Sequence, residues 1–315
     1  MNPISSPPQR LLDIRAVRHG LATALLVLVV CAAIGAISLS AYTSARARMD
    51  TFSARAVGEV TAVHDYTVQV RWALPDGRQV TAPVELAVTA PEPGTRTEIA
   101  YDPTAPENAA IPGAALLAQA DRGASGITFG AVVAVVVIGV TLGLVLVRAR
   151  LRGREPRKLL VRRVRVQKGL LARSWLETES GPQRWIPVYF DPVLVRMPSP
   201  VEVTAYGDPR DDRLVAVEFD GTVLYPSGAT ARTEPAGRRT DNPATPGDDA
   251  AERARAAGTV LRQLRADGAL IVPAPLVGLF WSYLDVGGFP VWLGATLITA
   301  ALALWWAAIR GSDPS

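Results

Sequence analysis

One cysteine (Cys31), two histidines (His19 and His64) and two lysines (Lys158 and Lys168) are all that 315 residues offer of these types. A lone cysteine excludes an intramolecular disulfide and a cysteine-based metal site. Placed inside an apolar run, Cys31 reads as a small packing residue. A His-based triad needs a nucleophile within hydrogen-bond reach, yet His19 stands where an apolar run begins and His64 lies in a separate polar segment. No Gly-rich phosphate loop and no metal-ligand spacing occurs, so no cofactor is implied. Asp65 and Asp102 remain as a carboxylate pair for glycan hydrolysis, but nothing in the sequence joins them. The scarcity of lysine against 33 basic residues, with abundant Ala, Gly, Pro and Val, is the usage of a GC-rich bacterial genome.

What the chain does have is long apolar runs. Mean hydropathy is +0.19 and 49% of residues are hydrophobic, which points to membrane segments. Residues 1–20 read as a tail ending in an interfacial lead-in over 11–19, and residues 21–42 as a first span, about 33 Å of helix. The small residues of SLSAYTSARA leave cleavage of that segment as an alternative. Residues 126–147 form a second span. Gly126, Gly130 and Ala134, and separately Gly139 and Gly143, recur every four residues and permit close helix packing, on the protein's own first span or on a second copy. Near the C-terminus, 269–284 and 289–309 fit two more passes around a turn at Asp285. A count of three spans stays open beside four.

Between the runs lie two polar segments of opposite charge. Tyr42–Ser125 carries 7 basic and 10 acidic residues, and Arg148–Asp267 carries 22 and 16. The stretch Arg148–Lys168 alone holds ten cations and one acid. Arg148, Arg150, Arg152, Arg154, Arg157 and Lys158 therefore mark a cytoplasmic membrane surface facing anionic lipid. Within 43–125, alternation over Val68, Val70, Trp72 and Val80, Ala82, Val84, Leu86 around Pro75-Asp76-Gly77 predicts strands and hairpins. Similar alternation over 148–228 predicts a second β-domain. Residues 229–247 read as a flexible linker, 248–268 as a helix and 310–315 as a tail. The fold class is thus membrane α plus small all-β domains: four (or three) transmembrane helices with one extracytoplasmic and one cytoplasmic barrel or sheet domain. The arginines crowd one span's exit, so lipid explains them and nucleic acid is not expected as a partner.

Gly58, Val60, the Asp76-Gly77 hairpin, Gly94 and the close Tyr101-Asp102-Pro103 with Pro106 resemble a broad, functionally uncharacterised family of bacterial membrane proteins. Those proteins carry a small extracytoplasmic β-domain between two spans. The likeness covers about residues 20–150 and implies placement, not activity. Tyr101, Asp102 and Pro103, echoed by Tyr206, Asp208 and Pro209, read first as tyrosines capping a small core and Asp-Pro pairs shaping turns, and beyond that as candidates for recognition. The echo also raises internal duplication. The expected function is a non-enzymatic interaction or assembly component of the cell envelope, partnered by the bilayer, a second copy or other envelope proteins. A ligand-binding sensor and an envelope hydrolase stand as alternatives.

Overall fold

A computed structural model describes residues 14–285 and 287–315. Most of the expected tail, and Val286 of the turn near the C-terminus, lie outside these residues. The elements run α1 (Arg15–Asp50), β1 (Ala54–His64), β2 (Thr67–Ala73), β3 (Gln79–Glu85), β4 (Arg96–Tyr101), β5 (Ala109–Ala110), α2 (Ala115–Ala149), β6 (Pro156–Lys168), β7 (Leu171–Thr178), β8 (Trp185–Val188), α3 (Val193–Arg196), β9 (Val201–Tyr206), β10 (Ala216–Phe219), β11 (Thr222–Leu224), β12 (Arg238–Asp241), α4 (Ala250–Ala257), α5 (Val260–Gly268), α6 (Ala274–Asp285) and α7 (Gly288–Arg310). They form two compact units, Cys31–Val133 and the remainder.

Three helical stretches, Arg15–Asp50, Ala115–Gly153 and Gly288–Arg310, are long and apolar enough to cross a membrane. Their apolar windows are only 22%, 17% and 28% buried. Leu25, Val29, Ile37, Val135, Val136 and Phe289 lie bare, a surface that water would penalise and lipid would not. The expected lead-in over 11–19 is not a separate helix from Arg15 onward: it belongs to α1. The segment 269–284 is also corrected. Its helix, α6, has 12 residues, about 18 Å, well short of a ~30 Å hydrocarbon core. Pro273 and Pro275 bracket its start, where a missing N–H is tolerated and a longer helix is not. α6 folds back on α7: a Cβ on Gly278 would sit 2.8 Å from the Trp292 carbonyl, and the Trp292 indole donates to the Pro275 carbonyl at 3.1 Å.

Both β-domains are curled antiparallel sheets, and they share one plan. The first has the order β3-β2-β1-β4-β5, and the second contains β8-β7-β6-β9-β10 with β11 added at the edge. In the first, β1 pairs with β4 from Ala54↔Tyr101 to Glu59↔Arg96 and then with β2 from Glu59↔Arg71 onward. In the second, β6 pairs with β9 from Pro156↔Tyr206 to Val161↔Val201 and then with β7 from Val161↔Thr178 onward. The change of partner comes five residues past the tyrosine pairing in both. Each long strand turns through a two-residue hairpin whose first residue has positive φ, Asp65 at 53° and Gly169 at 59°. Tyr101 opposes Ala109 and Tyr206 opposes Ala216. Each tyrosine leads into an Asp whose carboxylate accepts the backbone N–H two residues on, Thr104 at 2.8 Å and Arg210 at 2.9 Å. Register, hairpin and turn all coincide, as duplication of a helix-plus-sheet unit would leave them.

In the first sheet, alternation buries Val60, Val68, Val70, Trp72, Ala82, Val84 and Ile99 on one face. Gly58 lies where β1 crosses β2: a Cβ there would stand 2.6 Å from the Arg71 carbonyl oxygen and collide with the Ile99 side chain. Gly58→Val is therefore expected to lower stability by about 1–3 kcal/mol through overpacking, read as a fall in the unfolding midpoint of the purified chain.

Two further expectations change in the second unit. Residues 229–247 are not a free linker. Ala231 pairs with Trp185, and β12 joins the edge of β6, Arg239 opposite Val166. Arg239 bridges Glu177 at 2.6 Å, Asp241 at 2.8 Å and Glu234 at 2.9 Å. The single helix expected over 248–268 breaks at Gly258-Thr259. Thr259 caps α5 by accepting the Arg262 N–H at 3.3 Å.

Candidate functional site

The second sheet is a meeting point for helix ends. Arg15 near the start of α1, Arg148 near the end of α2, Asp267 in the last turn of α5 and Ile309 near the end of α7 all contact it or its immediate partners. Around these contacts lie the buried polar groups of the unit.

Tyr189, just past β8, is the hub. Its hydroxyl donates to the Ile309 carbonyl at 2.9 Å, and the Arg148 guanidinium lies 5.1 Å over its ring. Arg148 is 9% exposed. Its Nε donates to the Pro226 carbonyl at 2.6 Å and its Nη1 to the Leu144 carbonyl at 3.2 Å. Arg173 donates to the Ser227 hydroxyl at 3.0 Å and stacks on Trp175 at 4.9 Å. Burial, and after it the charge of Arg310, pushes Arg173 down to about 10. Burial raises the Tyr189 phenol against the opposing field of Arg148 and Arg173. Beside this hub runs an apolar groove lined by Val17, Leu144, Val145, Tyr225 and Ile309, with Arg148 in its wall.

A second polar knot ties α1 to α5. Arg15 donates to the Ala257 carbonyl at 3.3 Å and to Gln263 at 3.1 Å, and lies 5.0 Å over the Phe190 ring. Gln263 donates to Asp267 at 3.0 Å, and His19 Nε2 stands 3.5 Å from the same carboxylate oxygen. Asp267 is 1% exposed. Ser312 and His19 line a small cavity together, but among the described residues no hydrogen bond joins them, so a His–Asp pair stands there without an engaged nucleophile.

The third knot was invisible in the sequence. Residues beyond α7 enter the second sheet: Ser312 pairs with Arg173, and the Asp313 N–H donates to the Ala172 carbonyl at 2.9 Å. Asp313 meets Arg163 at 2.9 Å, both side chains at most 5% exposed, and accepts the Ser174 hydroxyl at 2.6 Å. Burial alone would raise the Asp313 carboxyl, but Arg163 with the hydroxyls of Ser174 and Ser315 holds it below the ordinary carboxylate value. Arg163 also reaches Asn242 at 2.9 Å, and Asn242 donates to the Leu194 and Met197 carbonyls.

The residues singled out from sequence divide. Of the basic stretch, Arg150 is exposed and Arg152 half-buried near Tyr206 and Tyr225. Arg154 pairs with Asp212 at 2.9 Å, Arg157 with Asp208 at 2.7 Å and Lys158 with Glu202 at 3.3 Å. Arg148 is buried against Tyr189. Tyr101 is a core residue, 5.9 Å from Trp72. Asp102 accepts from Thr104, by hydroxyl and backbone N–H, and these bonds lower its carboxyl. It precedes Pro103 in a turn. Tyr206 donates to Glu218, and Asp208 and a buried Pro209 shape the matching turn. Asp65 and Asp102 lie at opposite ends of β1, an 11-residue strand of about 35 Å, and form no pair. Among the described residues no cluster of His, Cys, Asp and Glu suits a metal.

The glycines divide as well. Gly126 meets the Ser38 side chain and a Cβ on Gly130 would stand 3.3 Å from the Cys31 carbonyl, so both pack on α1, whereas Gly139 and Gly143 meet nothing within 4 Å. Ala134 is half-buried. The tighter backbone approach of α2 to α1 was missed: a Cβ on Gly123 would stand 2.9 Å from the Ser38 carbonyl oxygen. Gly123→Leu is expected to force the two helices apart and lower the unfolding midpoint by several degrees, a loss of about 1–3 kcal/mol, while Gly139→Leu leaves the midpoint unchanged.

Comparison of the chain with models of known families, with curated proteins and with solved structures finds no match in any of the three.

Proposed function

We propose that this chain is a multi-pass protein of the bacterial cytoplasmic membrane, a non-enzymatic interaction or assembly component with its N-terminus and second sheet in the cytoplasm and its acidic first sheet outside. The observation that carries the reading is the convergence of helix ends on the second sheet. α5 delivers the chain to α6 beside His19, and α7 returns it to Tyr189 and Arg173. The α6–α7 hairpin begins and ends beside the second sheet, which supports one side for both of its ends, although α6 is too short to cross by itself. The arginines near the end of α2 favour the cytoplasm for that side. The likeness of residues 20–150 to uncharacterised membrane proteins belongs to this reading and concerns placement.

Polar knots that bind four helices to one sheet suit a component that holds a fixed shape between two compartments. Reporter fusions after Met49 and after Ser315 test the sidedness. Phosphatase activity is expected at the first and fluorescence of a cytoplasmic reporter at the second, and the reverse pattern sinks the reading. Cross-linking in intact membranes followed by affinity purification tests the role. Stoichiometric envelope partners are expected, and a clean monomer without partners counts against assembly.

A further inference from the structure

Most arginines of the second sheet find an acid: Arg154 with Asp212, Arg157 with Asp208, Arg162 with Glu179, Arg163 with Asp313 and Arg239 with Glu177. Arg148, Arg173 and Arg310 do not. Among the described residues these three meet carbonyls, a serine hydroxyl and aromatic rings, and no carboxylate. Arg148 is nevertheless 9% exposed, and the Arg173 Nε is buried with no hydrogen-bond partner. A buried cation is ordinarily paired, so Arg148, with the half-buried Arg173 and the exposed Arg310, makes a site short of one anion.

The space beside it has the opposite character. The groove occupies about 510 Å³ counted with the solvent at its mouth, and apart from Arg148 its walls are almost wholly apolar. It lies where the ends of α2 and α7 meet the sheet, the depth at which a bilayer's headgroups give way to its chains if these helices cross as proposed above. A ligand for it must combine an anionic head with a hydrocarbon body.

We propose that this groove binds an anionic phospholipid, one acyl chain lying along Val17, Leu144, Val145 and Ile309 and the phosphate held at Arg148 within the positive field of Arg173 and Arg310. Guanidinium suits that task because its planar fork donates to two phosphate oxygens at once. The aromatic faces of Tyr189, Trp175 and Trp306 already hold the three guanidinium groups in place, so little side-chain freedom is lost on binding.

The test uses the full chain in dodecyl maltoside micelles, its thermal unfolding followed by tryptophan fluorescence during titration with dioleoyl phosphatidylglycerol, dioleoyl phosphatidylcholine or inorganic phosphate. A saturable rise in midpoint with phosphatidylglycerol alone is expected, since a ligand of the native state stabilises it by mass action. Arg148→Gln, which removes charge, and Val145→Trp, which fills the groove, should each raise the half-saturating lipid concentration roughly tenfold, the loss of about one charge-assisted hydrogen bond or its equivalent in packing. Arg162→Gln, whose arginine faces Glu179 away from the groove, should not. Where Arg148→Gln fails to fold, Val145→Trp and the exposed Arg310→Gln give the same reading. An equal response to phosphatidylcholine, a response to phosphate alone, or equal weakening by Arg162→Gln would overturn the site while leaving sidedness and partners untouched.

Discussion

Asp313→Ala is expected to cost about 3–5 kcal/mol of stability in the second unit, because it leaves a buried guanidinium without its counter-charge. Arg163 sits at 4% exposure and Asp313 at 1%, so water cannot take the carboxylate's place. Urea unfolding of the purified chain would show the loss as a lower midpoint at unchanged slope. The double substitution Arg163→Met with Asp313→Leu is expected to recover much of it, since the cost lies in the orphaned charge rather than in the absence of attraction. A single variant as stable as the parent would contradict the burial on which this rests. The pH dependence has a definite sign. The folded carboxyl is held below the ordinary aspartate value, so its contribution is complete above the ordinary value. It is lost as pH falls from there through the lower folded value. The parent's stability should therefore fall more steeply than the double variant's in that acid window.

Trp72→Ala is expected to have a comparable effect on the first sheet, about 3–5 kcal/mol. Trp72 is 2% exposed and packs against Tyr101 with ring centres 5.9 Å apart, in a core whose other members are mostly Val and Ala. Removing the largest side chain from so small a core leaves a cavity that neighbouring strands cannot close. Hydrogen exchange in the intact protein should show lost protection over β1, β2 and β4 while β6 and β7 keep theirs. Loss spread evenly over both sheets would refute the independence of the two cores. Trp72→Phe should cost less than the alanine change, because the indole N–H is buried without a partner in any case.

The long apolar runs were legible because twenty or so uncharged residues admit few other structures, and strands were legible wherever Val and Trp alternate with polar residues around an Asp-Gly or Pro-Gly turn. What escaped notice has physical reasons. β12 reads Arg-Arg-Thr-Asp, with no apolar period, and is held by the ion pairs of Arg239 rather than by a buried face. α6 was overextended because composition does not register where Pro273 and Pro275 let a helix begin. The shared sheet plan surfaced in sequence only at Tyr101-Asp102 and Tyr206-Asp208, since what repeats is backbone register, which many side chains satisfy. The burial of Arg148 escaped the sequence because spacing cannot reveal Tyr189 waiting on another element. Gly123 was missed because it precedes Gly126 by three residues and not four.

The Arg163–Asp313 bond joins residues 150 positions apart, and ribosomes deliver residues in order. At roughly 5–20 residues per second, about 8–30 s separate the emergence of the two. Throughout that interval β6 and β7 can pair, yet the guanidinium between them has no carboxylate, and it receives one only after the α6–α7 hairpin has been made. The second sheet thus reaches its final stability only after α7 has been made, and until then its central guanidinium lies beside β7 without a counter-charge.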